Sequence, residues 1–146
     1  MDKKSATHLK TYAQIGMIIG QVNLVESRLN QVIADYYIEE KINLEKNNAL
    51  SNDFLFSGMI RLDDKLKLLE IISSTKNLEL PERIKKDLKQ WKEIRNTVAH
   101  GIPGHTANFD VEILFNGKFH NIDKMRKGFG IRQDRITTFL DKLKDS

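Results

Sequence analysis

Ile15, Ile18, Val22, Val25, Leu29, Val32 and Tyr36 follow one another at alternating steps of three and four residues. That spacing narrows what the chain can fold into more than any other feature. A helix turns about 100° per residue, so these side chains share one face and predict a single long amphipathic helix whose apolar stripe must be covered. Ile19, Ile33 and Tyr37 widen the stripe beyond a two-stranded seam, which predicts a bundle rather than an isolated coiled coil. Gly16 and Gly20 fit a close approach by another backbone. Residues 1–7 are expected to form a flexible lead.

Downstream, residues 39–52 are polar and lack glycine and proline, which predicts a linker or a frayed helix end. Ser51, Asn52 and Asp53 are N-cap candidates for a second helix carrying Leu55, Met59, Leu62, Leu66 and Leu69 toward Ile72, with a break at Ser73, Ser74 and Thr75. Pro81 and Glu82 open a third helix that runs to His100, where Gly101 and Pro103 stop it. The period then changes. Phe109, Val111, Ile113 and Phe115 alternate with polar or outward positions, and Asn116 followed by Gly117 predicts a β-hairpin near 109–122. Residues 124–130 read as a basic connection into a last helix carrying Ile131, Ile136, Phe139, Leu140 and Leu143. The expected fold class is all-α, a bundle of four main helices with a small hairpin before the last, in one domain over residues 1–146.

Composition excludes several chemistries. The 146 residues contain no Cys, which rules out disulfides, a thiolate nucleophile and Cys-bound zinc. Hydrophobic residues at 40% and charged residues at 30% describe a globular chain. Lys3, Lys4 and Lys10 precede the apolar run 15–20 as in a secretory signal, but Gln14, Gln21 and Asn23 interrupt it and it is too short to span a membrane. A cytoplasmic protein is the expectation.

The third helix contains an anomaly. Ile84, Leu88, Trp91 and Val98 share an apolar face, and Arg95 falls in the middle of it. An unpaired buried guanidinium costs several kcal/mol. Arg95 therefore requires an internal carboxylate, with Glu70, Asp63 and Asp64 as candidates, or an interface partner, or an anionic ligand. Asn96 and His100, four residues apart, share another strip of the helix with Lys92 one turn earlier. His100 sits at the C-terminal end, where the helix dipole favours the imidazolium, the form a general acid needs.

The run Arg95-Asn96-Thr97-Val98-Ala99-His100 closing a helix resembles the signature of the HEPN (higher eukaryote and prokaryote nucleotide-binding) superfamily. The preceding long helix, the segment Leu62 to Glu70 and the final helix extend the resemblance over most of residues 8–145, with the hairpin as an elaboration. The resemblance implies a HEPN-like helical bundle that dimerises through its motif helices and encloses a composite cleft. It further implies a metal-independent endoribonuclease, without cofactor, of a toxin or phage-defence kind. In that role Arg95 would hold the scissile phosphate, His100 would transfer protons as the 2′-OH attacks, and Asn96 would orient the site, leaving a 2′,3′-cyclic phosphate. RNA would be the substrate, and an antitoxin or regulatory protein a partner. The superfamily also includes members that bind nucleotides or proteins without cleaving, which is the alternative reading.

Charge is distributed unevenly. Residues 1–80 sum to −1 and residues 81–146 to +5, giving the overall +4. Lys92, Arg126 and Lys127 are the substrate-binding candidates in the positive half, which fits either an RNA-guiding surface or ordinary solvated faces. Phe119 and Phe129, near those charges, fit base stacking or the core. His100, His105, Asp110 and His120 match no established metal-ligand spacing, so no metal is expected.

Overall fold

A computed structural model describes residues 2–38, 43–57, 59–105 and 110–146. The chain is mostly helical with a small antiparallel sheet. Helix α1 spans Lys3–Tyr37, 35 residues, and is roughly 50 Å long at 1.5 Å per residue. It starts earlier than expected, because Asp2 caps it: the Asp2 carboxylate accepts from the Ser5 amide at 2.7 Å, a bond that also holds this carboxyl below its ordinary pKa. Thr7 and Thr11 extend the inward face upstream of the apolar stripe, their hydroxyls donating to the carbonyls of Lys3 and Thr7 at 2.8 Å. Ile18, Val22, Val25, Leu29, Val32 and Ile33 are buried as the spacing predicts. Ile19 and Tyr37 instead remain 42% and 52% exposed, so the stripe is narrower than the sequence suggests. Among the described residues, nothing outside helix α1's own backbone lies within 4 Å of a Cβ built on Gly16 or Gly20, so the backbone approach expected there is not made by them.

The expected linker is partly helical. Helix α2 (Leu44–Asn48) is capped by the Asn43 side chain, which accepts from the Lys46 amide, and runs into a π-helical turn, Ala49–Leu55. The buried Asn47 anchors this segment by donating to the Ile38 carbonyl at 2.7 Å and to Asp35 at 2.9 Å. Ser51, Asn52 and Asp53 lie inside that π-helical turn rather than capping the next helix, and Met59 is exposed. Helix α3 (Leu62–Thr75) starts after Arg61 and continues through Ser73 and Ser74. The chain reverses at Asn77, in the left-handed region at φ 55°, where the Ser73 hydroxyl donates to the Leu78 carbonyl.

Helix α4 (Glu82–His100) begins after Pro81 and ends before Gly101. Strand β1 (Ile102–His105) follows at once, and the sheet order is β1, β2 (Val111–Phe115), β3 (Lys118–Asn121). The hairpin expected around Asn116 and Gly117 is present as β2–β3, with both turn residues at positive φ. Phe109 lies outside the described residues. Strand β1 was not expected, because glycine and proline at 101–104 read as a stop; Pro103 is accommodated because β1 is an edge strand.

Helix α5 (Ile122–Lys144) starts before Gly128 and Gly130, capped by Asn121, so residues 124–130 form its first turns rather than a connection. Ile131, expected in the core, is 68% exposed. α1 packs against α3, α4 and α5, and β2 inserts Val111 and Ile113 beneath α4 and α5. Fully buried Trp91 ties α4 to α1, its indole N–H donating to the Val22 carbonyl at 3.2 Å. No described helix is long and apolar enough to cross a membrane.

Candidate functional site

The motif occupies the last turn and a half of α4, and its end is fixed by packing. Gly101 is extended at φ −75°, so no conformational need calls for glycine there. A Cβ at Gly101 would fall 2.0 Å from Ile113 Cγ2 and 2.4 Å from the Thr97 carbonyl. Glycine is required because strand β2 lies directly against the helix end. Thr97, inside the motif, is buried and its hydroxyl donates to the Glu93 carbonyl at 2.8 Å.

Arg95 has an internal partner, though none of the three carboxylates expected. Its Nε donates to Glu26 Oε2 at 3.3 Å, across to α1. Of the expected partners, Asp63 takes Lys92 and Asp64 pairs with Lys67 at 3.7 Å. The second oxygen of Glu26 accepts from Lys65 Nζ at 2.8 Å, and Lys65 is 1% exposed. The Arg95 side chain is 33% exposed and borders a cleft of about 230 Å³ between α1 and α4, lined also by Ile19, Val22, Asn23, Glu26, Val98 and Ala99. Among the described residues neither terminal nitrogen of Arg95 has a hydrogen-bond partner.

The other sequence candidates divide into groups. Asn96 is half-buried and His100 exposed, one turn apart on the strip that continues back through Lys92, Lys89 and Lys85. Those three lysines line a second groove, between α3 and α4, together with Asp63 and Glu70. Lys92 therefore borders a different groove from Arg95, and its bond to Asp63 holds that carboxyl below its ordinary pKa. Arg126 lies 3.8 Å from Asp123 in the first turns of α5, and Lys127 beside it is exposed; neither lines the Arg95 cleft. Phe129 is fully buried, whereas Phe119 is 70% exposed on the outer face of the sheet, in one cross-strand row with Leu114 and the exposed Ile102. Among the described residues no group of three His, Asp or Glu side chains is placed to hold a metal ion.

Sequence reasoning missed Glu26 and Lys65, although a signal for both existed. Glu26 falls beside Val22, Leu29 and Ile33 on the α1 stripe, and Lys65 beside Leu62, Leu69 and Ile72 on that of α3. Each is a charge at a core position, as Arg95 is. In comparisons with known proteins, no family model, no curated protein and no solved structure matches the chain.

Proposed function

We propose that the chain is a HEPN-like, metal-independent endoribonuclease that works as a homodimer through its motif helix. The observation that carries this reading is the split of the motif between two environments. Arg95 is anchored through Nε at the edge of a cleft with both terminal nitrogens unpaired among the described residues, while His100 ends the same helix in the open. Metal-free cleavage needs such a division: a fixed cation on the phosphoryl oxygens, and an imidazole free to move protons. The ribose 2′-OH would attack phosphorus and lose its proton, and the 5′-oxygen would leave as a hydroxyl, giving a 2′,3′-cyclic phosphate. His100 would serve the proton transfers and Asn96, four residues earlier, would orient it.

Three further features support the reading. Lys85, Lys89 and Lys92 lead along α4 toward Asn96 and His100, a track for a phosphodiester backbone. Arg126 and Lys127, on the first turns of α5, add to the positive half of the chain. On α1, Gly16 and Gly20 have open space where a second copy's helix would approach, and Ile19 beside them borders the Arg95 cleft while exposed. The alternative is a non-catalytic HEPN-like module that binds a nucleotide or a partner protein; the Arg95–Glu26 bond itself favours a third reading, a helical structural or adaptor protein whose motif is coincidental, since an internal partner accounts for the arginine without a ligand.

Incubation with RNA in EDTA decides between them. The nuclease reading expects cleavage with cyclic-phosphate ends, lost in His100→Ala and Arg95→Ala, from a protein that sediments as a dimer. Undiminished cleavage by both variants would falsify the site assignment, and no cleavage by a folded dimer that binds RNA or nucleotide saturably would favour the binding module.

A further inference from the structure

Helices α1, α3 and α4 each bring one charged residue to a common point beneath the motif helix, and the three charges meet. Glu26 accepts from Lys65 through one oxygen and from Arg95 through the other. The Lys65 and Glu26 side chains are 2% and 10% exposed, whereas that of Arg95 is 33% exposed. A lone carboxylate against Arg95 would cancel its charge and leave the α1–α4 cleft neutral. Two cations on one carboxylate leave one positive charge over, and the only member of the triad substantially open to solvent is the guanidinium. Stability alone is a weak reason for such a triad, because the desolvation of its charges offsets much of their Coulombic gain.

We propose that Lys65 and Glu26 are positioning residues that turn Arg95 into an anion receptor. Glu26 fixes the plane of the guanidinium through Nε. Lys65, behind it, offsets the carboxylate charge, so that the cleft presents Nη1 and Nη2 with a net positive charge to a phosphoryl group. This rests on the nuclease reading for one point alone, that the phosphoryl group belongs to RNA.

The test uses the full-length protein, inorganic phosphate as probe, and the Arg95 side-chain ¹⁵N resonances, assigned by their loss in Arg95→Lys. The wild-type resonances should shift saturably with phosphate while the Nε–H stays protected by Glu26. Lys65→Met should weaken phosphate binding about tenfold, the scale of losing one close unit charge. Glu26→Gln combined with Lys65→Met restores one net positive charge and should recover binding to within about threefold of wild type. A purely structural triad would give no such recovery. The proposal is overturned if the wild-type Arg95 resonances ignore phosphate, if Lys65→Met binds as wild type does, or if the double variant is no better than the single. Should Lys65→Met fail to fold, Lys65→Gln, which can still donate to Glu26 without the charge, takes its place and should show the same loss of about tenfold, undiminished binding again overturning the proposal. Phosphate binding as described without RNA cleavage would retire the nuclease reading and leave the triad standing. Cleavage with an Arg95 that ignores phosphate would do the reverse.

Discussion

Arg135 on α5 grips Asp87 on α4 with two parallel hydrogen bonds, Nε to Oδ2 and Nη2 to Oδ1, both 2.7 Å. Asp87 is 3% exposed, and Arg132 stands 4.0 Å away as a second cation. The fork geometry matches a guanidinium to a carboxylate and fixes the rotation of α5 about the motif helix. Asp87→Ala leaves two arginines over an apolar patch. It should cost about 2–3 kcal/mol, below the 3–5 of a fully buried pair because Arg135 is partly solvated. Urea denaturation measures this, and Arg135→Lys should recover only part of the wild-type stability.

Gly101→Ala should destabilise the fold by about 1–3 kcal/mol, the range for overpacking, because its methyl would overlap Ile113 and the Thr97 carbonyl. Ile113→Ala relieves only the first overlap. The double variant should therefore stay less stable than Ile113→Ala alone, as read by thermal melting.

Two phenylalanines should behave in opposite ways. Phe129→Ala removes a fully buried ring and should cost about 3–5 kcal/mol of stability. Phe119→Ala alters an exposed ring and should leave the melting temperature unchanged. If the outer face of the sheet stacks an RNA base, Phe119→Ala weakens binding of an uncleavable oligonucleotide by about 1–3 kcal/mol; unchanged affinity removes the sheet from the RNA path.

The bond from Lys92 gives Asp63 a pH signature. Hydrogen bonding first, and then the nearby positive charge, lowers its pKa from 3.8. A carboxyl whose folded pKa is depressed contributes stability that is complete above its unfolded value and is lost as pH falls through the lower folded value. The α3–α4 tie should therefore persist to pH values below 3.8, where free aspartates are already protonated. Carbon NMR titration of the Asp63 carboxyl reads this directly, and Lys92→Met should return the midpoint toward the ordinary value.

Long periodic segments were legible in the sequence because burial and spacing agree there: Val22, Val25 and Leu29 on α1, and Ile84, Leu88 and Trp91 on α4. The β2–β3 turn was legible because Asn116 and Gly117 both adopt positive φ, which few residue pairs do easily. What escaped depended on contacts distant in sequence. Residues 44–55 have no clear stripe, and their helical path is held by Asn47 reaching back to Asp35 and Ile38. Glycines at 128 and 130 read as a connection, yet the helix around them is supported by the burial of Phe129 and Ile136 against its neighbours. The site divides along the same line. Arg95 and Glu26 were both legible as charges at core positions, but that the two meet could not be read, since they lie 69 residues apart on helices whose packing is set by the whole bundle.

Strand β1 leaves the motif helix one residue after His100, and β2 rests on the glycine between them. The sheet is thus joined directly to the end of the helix that carries the motif. Its outer face, with Ile102 and Phe119 in one row, is open to a visitor. Behind that row, on the other face of the same strands, Ile113 meets Gly101, so the motif helix ends against the back of an exposed apolar surface.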